Sequence, residues 1–228
     1  MAKAASPPRK ADLRKARERE LIAVTRRIFD ERGMQDAPIE AIAKEAGIAR
    51  GLIYREFSSK EELFVVTVND YLVELAEDLE AARAEGGDPT TQLERVARTY
   101  AGFCVRYPAF LDCALSLMKQ PAEALQDIVS EARFFRLGQL MLRAVDTVAT
   151  TLHEGKETGD FEIDDPDYLA NLLWTQALGG MHLVRIGVGV RRSANGLLEF
   201  FPIEPERVIE SCVEVALTSV GLRPGGSG

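Results

Sequence analysis

Apolar residues return every three or four positions almost without interruption from Leu13 to Gly221, the repeat that lays a stripe along an α-helix. No stretch alternates strictly between apolar and polar residues between hairpin turns, so no strand is expected and the fold class reads as all-α. The first helix is expected from about Leu13 to Arg32, with Leu21, Val24, Ile28 and Phe29 on its inner stripe and Gly33 as its stop. Two short helices follow, at about 38–46 and 49–56, joined across Gly47. Ser58 and Ser59 each stand three residues before a glutamate, Glu61 and Glu62, so a capping box opens a long fourth helix through about Arg83. Beyond the break at 85–89, helices are expected at about 90–106, 108–118, 122–154, 166–188 and 205–221, with Pro166 and Pro205 in first turns. The ends, 1–12 and 223–228, read as a disordered basic arm and a tail. Between them lie a head, 13–64, and a body, 65–222.

Charge is divided along the same line. The 228 residues carry a formal charge of −8, which spread evenly would argue against a polyanion partner. Residues 1–60, however, hold 14 Lys and Arg against 9 Asp and Glu, whereas residues 61–228 hold 14 against 27. A basic end on an acidic body suggests one localised nucleic-acid contact with the remaining surface repelled from it; a solvated basic tail is the plainer alternative. No apolar run is long enough for a membrane span and the N-terminus is charged, so a cytoplasmic protein without a membrane partner is expected. Cys104, Cys113 and Cys212 lack C-x-x-C spacing and are expected to be buried thiols. The two histidines, His153 and His182, offer no metal spacing, and His182 is expected to be a satisfied core or interface group. With no catalytic Ser/His/Asp, Cys/His, phosphate-loop or paired-carboxylate constellation, neither an enzyme nor a cofactor or metal is expected.

The two short helices across Gly47, with small Ala43 and with Ile48 in the turn, describe a helix-turn-helix leaning on its neighbours through Ile28, Ile42, Ile53 and Phe57. With Ile53 and Phe57 inward, the opposite face of the second helix displays Arg50, Gly51, Leu52, Tyr54 and Arg55. That set combines donors, an apolar contact and a close-approach glycine, as a recognition helix needs. The run from Ile42 to Phe64, IAKEAGIARGLIYREFSSKEELF, resembles the TetR family of transcriptional regulators, the likeness covering about residues 15–75. The resemblance implies a homodimer whose heads enter successive major grooves of a palindromic double-stranded DNA operator about 34–36 Å apart. It also implies a helical body that binds a small-molecule effector.

Carried over residue by residue, the resemblance places base and phosphate contacts at Arg50, Gly51 and Tyr54, and a phosphate contact at Lys60. Lys44, Ala49, Leu52 and Arg55 complete the expected DNA face. Two residues depart from the family pattern. Pro38 stands where a capping threonine is common, which leaves Asp36 as the candidate cap, and Glu56 stands where His or Tyr is common. A carboxylate at Glu56 should repel phosphate unless Arg55 or Lys60 neutralises it, and would then oppose nonspecific binding.

In the body, aromatic and sulfur side chains concentrate at Tyr100, Phe103, Tyr107, Phe110, Met118, Phe134, Phe135, Met141 and Trp174. They are either ordinary core or, as a group, the lining of a cavity for an apolar or amphipathic effector. The last two helices are strongly apolar, and Gly179 and Gly180 suggest close approach of another helix. Leu172, Thr175, Gly179, Leu183 and Ile186 with Ile209, Val213 and Leu217 are the expected dimer seam, unless the same residues are buried within one subunit. Function then reads as a DNA-binding regulator, in the repressor sense, controlled by a small molecule; the alternative is a helical adaptor without DNA activity.

Overall fold

The computed structural model describes residues 10–34, 37–119, 126–127 and 129–221. The head consists of α1 (Lys10–Arg32), α2 (Ile39–Glu45) and α3 (Arg50–Glu56), and α4 (Lys60–Ala84) runs from it into the body. Helix α1 begins three residues earlier than expected, so residues 10–12 belong to it rather than to an arm. The body adds α5 (Pro89–Arg106), α6 (Pro108–Met118), α7 (Glu131–Thr158), α8 (Pro166–Ile186) and α9 (Pro205–Ser219). Helix α4 packs along α7 and α5, α9 packs along α5 and α8, and α8 crosses α7.

Local chemistry sets the boundaries. Ser59 Oγ accepts the Glu62 N–H at 3.0 Å, and the Glu62 carboxylate in turn accepts the Ser58 N–H and hydroxyl at 2.6 and 2.8 Å. Asp88 and Asp165 cap α5 and α8 through the N–H groups of Thr91 and Tyr168. Pro38 is the N-cap of α2 and offers no side-chain cap, while Asp36 lies outside the described residues. Helix α7 starts after Ser130, not near 122, and runs past the expected stop to Thr158. The reason is Gly155: it sits inside the helix with the buried Phe161 ring against its bare Cα. Chain reversal waits for Gly159 in the left-handed region, φ 81°.

The fold class is all-α, as expected, and only the expectation of no strand is corrected, at one place. After Gly187 ends α8, β1 (Val188–Arg192) and β2 (Leu198–Pro202) form an antiparallel hairpin in which Val190 pairs with Phe200 and Arg192 with Leu198. The reversal is closed by Ser193 N–H to Leu197 O at 2.8 Å, with Gly196 at φ 77°. Asn195-Gly196 is a turn signal that could have disclosed it. The doublets Leu197-Leu198 and Phe200-Phe201 blur the period-two alternation, and no strand stands out from periodicity alone.

Candidate nucleic-acid interface and ligand cavity

Helix α3 is fixed from behind. Ile53 and Phe57 are buried against Ile28 and Ile42, and the turn is closed by Ile48 N–H to Ala43 O at 3.0 Å with Gly47 at φ 65°. The opposite face therefore points outward: Ala49, Arg50, Gly51, Tyr54 and Arg55 are exposed, as are Lys44 on α2 and Lys60 on α4, with Leu52 half-buried. A Cβ at Gly51 would meet nothing within 4 Å, so backbone there is open to close approach. Arg50 lies over the Tyr54 ring, 5.4 Å to its centre, and pairs with Glu40 of α2 at 2.7 Å. Glu40 is a residue of this face that sequence alone did not single out.

Glu56 does not face outward. Its side chain is 6% exposed and pairs with Arg14 at 2.9 Å and Arg17 at 3.5 Å, fastening α1 to the end of α3. The expectation that it opposes phosphate is corrected: the carboxylate is turned from that surface. Beside it, Arg133 of α7 pairs with Glu18 of α1 at 3.0 Å and with Glu62 of α4 at 3.3 Å, its guanidinium over the Phe57 ring. Burial alone would push the Glu62 carboxyl up, but the Ser58 N–H and hydroxyl and the Arg133 charge outweigh it and hold it below the usual carboxylate range.

A second joint ties α1 to α4 and α5. Arg26 lies between the Tyr71 and Tyr107 rings, at 4.2 and 4.7 Å from their centres, and pairs with Asp70 at 2.8 Å and Glu74 at 2.5 Å. The Tyr107 hydroxyl donates to Glu74 at 2.7 Å, and Tyr71 donates to Asp30 at 2.5 Å. Phe103 and Phe110 pack edge-on beneath, 5.2 Å between ring centres. These rings are core, not cavity.

The cavity lies elsewhere. A space of about 820 Å³, of a size suited to a small-molecule ligand, opens between α4, α5, α7, α8, the hairpin and α9. Leu79, Val96, Tyr100, Trp174, Phe201 and Val208 line its apolar wall, with Gln176, Arg191, Arg207 and Ser211 among its polar groups. Tyr100 and Trp174 pack 4.9 Å apart, and the Tyr100 hydroxyl is buried beside the Cys104 thiol. Of the aromatic and sulfur side chains expected to line a cavity as a group, Tyr100 and Trp174 line this space. Phe103 and Phe110 are buried and Tyr107 half-buried at the joint, Phe134 is half-buried on α7, and Met118, Phe135 and Met141 are exposed. Composition marked where aromatic residues are dense, whereas the cavity is walled by aliphatic residues brought together from distant elements.

The expected dimer seam also divides. Leu172, Thr175, Gly179, Leu183 and Ile186 are exposed along one side of α8. Ile209 and Val213 are buried within the protomer, away from a seam with another subunit, and Leu217 is half-buried. The two glycines separate in the same way. A Cβ at Gly180 would lie 3.1 Å from Cys212 Sγ of α9, and one at Gly179 would meet nothing within 4 Å. His182 is exposed on α8 rather than buried in the core.

Residues 21–66 match the model of the bacterial regulatory proteins of the tetR family. The HTH-type transcriptional regulator BetI of Stenotrophomonas maltophilia is 37% identical over 81 residues, which is 35% of this chain and 41% of that protein. The match thus spans less than half the length of that relative. The HTH-type transcriptional repressor KstR2 of Rhodococcus jostii is 27% identical over 148 residues, 65% of this chain and 69% of its own. Among solved structures, the transcriptional regulator FadR of Bacillus subtilis, in complex with stearoyl-CoA, superposes with a TM-score of 0.65 at 14% identity, covering 89% of this chain and 98% of that one. No described helix is long and apolar enough to cross a membrane. Residues 21–66 thus match the TetR family of bacterial regulatory proteins, and over most of its length the chain is similar in fold to FadR.

Proposed function

We propose that the protein is a sequence-specific DNA-binding transcriptional regulator, a repressor that acts as a homodimer in the cytoplasm and is released by a small apolar or amphipathic effector. The observation that carries this reading is the outward face of α3, where Arg50, Gly51, Tyr54 and Arg55 stand clear of the core with Lys60 at the adjoining start of α4. Arg50 is the candidate for bidentate guanine recognition; Tyr54, Lys44 and Lys60 are candidates for phosphate. Residues 13–64 serve as the DNA-binding unit and 65–222 as the effector and dimerisation unit. The name of KstR2 supports repression, and the ligand held by FadR supports an amphipathic effector. The cavity bounded by Tyr100, Trp174 and Phe201 is the effector site. Occupancy shifts the heads only by as much as the ligand prefers one spacing over the other.

Selection of bound duplexes from a random pool tests the reading. The native chain is expected to enrich a palindrome and Arg50→Ala to lose it, a guanine contact contributing about 1–3 kcal/mol per base. Absence of enrichment by the native chain, with and without a panel of amphipathic ligands, would favour an adaptor and sink the proposal.

A further inference from the structure

The hairpin between α8 and α9 is built the wrong way round for a protein that stands alone. Alternation along its strands puts Arg191, Glu199 and Phe201 on the side of the cavity, where Arg191 pairs with Glu199 at 2.7 Å and lies over the Phe201 ring. The other face carries Val188, Val190, Leu198 and Phe200 beside Arg192, with Leu197 at the turn; the five apolar side chains are 48–69% exposed, Val190 also reaching the rim of the cavity. Two strands are marginal without an apolar face to cover, and here that face is turned to solvent. An exposed apolar patch of this kind marks an interface.

The occupant follows from what the patch continues. Tyr168, Leu172, Thr175, Gly179, Leu183 and Ile186 form an outward stripe along α8 at spacings of three and four, Leu183 also touching the cavity rim, and the stripe runs directly into Val188. Thr175 and open Gly179 at its centre allow another helix to approach closely. A twofold axis through Gly179 sets two copies of α8 antiparallel. Nine residues to Val188 and eleven to Tyr168 are about 14 and 17 Å of helix, so each hairpin root falls beside the first turn of the other α8. That turn presents Tyr168, which is 67% exposed.

We infer that the apolar face of the hairpin is an arm that packs on the α8 N-terminus of a second copy of this chain, extending the α8 contact and tying dimerisation to a wall of the cavity. This rests on the dimer in the proposed function but adds a contact made by this chain's own inserted strands. The same hairpin supplies Arg191 and Phe201 to the cavity, so ligand and partner press on opposite sides of one element.

Sedimentation equilibrium of the full chain tests the arm with Leu198→Ser/Phe200→Ser, two side chains that do not line the cavity. The native chain is expected to be dimeric at micromolar concentration and the variant to dissociate about ten-fold more readily, or further, with its melting temperature as monomer unchanged. A cycle of Tyr168→Ser with Phe200→Ser is expected to be non-additive, since the two side chains touch across the dimer. Equal dimerisation of native and variant, additive effects in the cycle, or a native monomer at tens of micromolar would each overturn the arm. So would loss of flotation with phosphatidylcholine vesicles in the variant while both chains stay monomeric, which would assign the face to lipid. A chain that dimerises through the arm yet enriches no duplex would sink the regulator and leave the arm standing.

Discussion

The head and the body treat their apolar surface in opposite ways. In the head, Leu21, Ile28, Ile42, Ile53 and Phe57 are all nearly inaccessible, and the outward face of α3 offers mainly donors. The body buries many more large side chains but leaves an open cavity of about 820 Å³, the α8 stripe and the hairpin face uncovered. On the proposed function, the head's outward face is for a polyanion, and the body's open surfaces are for a ligand and a second copy of the chain. A unit that must present one fixed surface to DNA gains from being closed, and a unit that must respond gains from surfaces whose cover is supplied from outside.

The comparison breaks first where the body is as tightly closed as the head. Phe161 folds back on Gly155, with its N–H donating to Gly155 O at 2.9 Å, and an added Cβ would overlap its ring. Gly155→Ala must displace a buried phenylalanine and is expected to cost about 3 kcal/mol, read as a lower urea midpoint at unchanged m-value. A cost near zero would show that this end of the body is as yielding as the hairpin.

The joint between the two units comes next. Arg133 bridges Glu18, Glu62 and Phe57 and is itself mostly buried, so Arg133→Ala leaves the Glu62 carboxylate with only the hydrogen bonds from Ser58 and Ser130 and no cation. A loss of about 2 kcal/mol is expected, accompanied by faster amide exchange in α1 and α3 before α5 or α9. Acid loosens this joint and the second one at Arg26. Burial would raise both Glu62 and Glu74, but hydrogen bonds from Ser58 to the first and from Tyr107 and Arg26 to the second hold both below the usual range. Their contribution is complete above the ordinary carboxylate pKa of about 4.3 and disappears as pH falls through their lower folded values. Asp30 is pushed up by burial and works in the opposite sense, which blunts the loss. The melting temperature should be flat near neutrality and fall below about pH 4, less steeply in Arg133→Ala because Glu62 has then lost its cation.

The division between head and body also separates what could be read in the sequence from what could not. Ser59 with Glu62, Gly47 with Ile48, and inward Ile53 and Phe57 are contacts within a few residues, so pattern and turn chemistry disclosed them. The cavity takes Leu79, Tyr100, Trp174, Phe201 and Ser211 from five elements up to 132 residues apart, and no local period encodes that meeting. Helical spacing states that Ile209 and Leu183 lie on apolar stripes but is silent on whether the cover is the same chain or another. Gly179 and Gly180, adjacent in sequence and opposite in surroundings, show how little a residue type says about that choice. Glu56 misled because its chain position puts it beside the DNA face, while the end of α3 rotates it onto α1.

The smallest effect sharpens the account of the head. Glu56→Gln keeps the shape and the capacity to accept from Arg14 and Arg17 but removes the charge. The Arg14 side chain is 66% exposed, so water screens much of the pair, and a loss below about 1 kcal/mol is expected. Because the side chain is turned from the α3 surface, affinities for an enriched duplex and for random duplex should change by the same factor, less than about two-fold. A selective rise in nonspecific affinity, with a steeper salt dependence, would instead mean that Arg14 and Arg17, once freed, reach phosphate. The ion pair that closes the head would then also be restraining its positive charge.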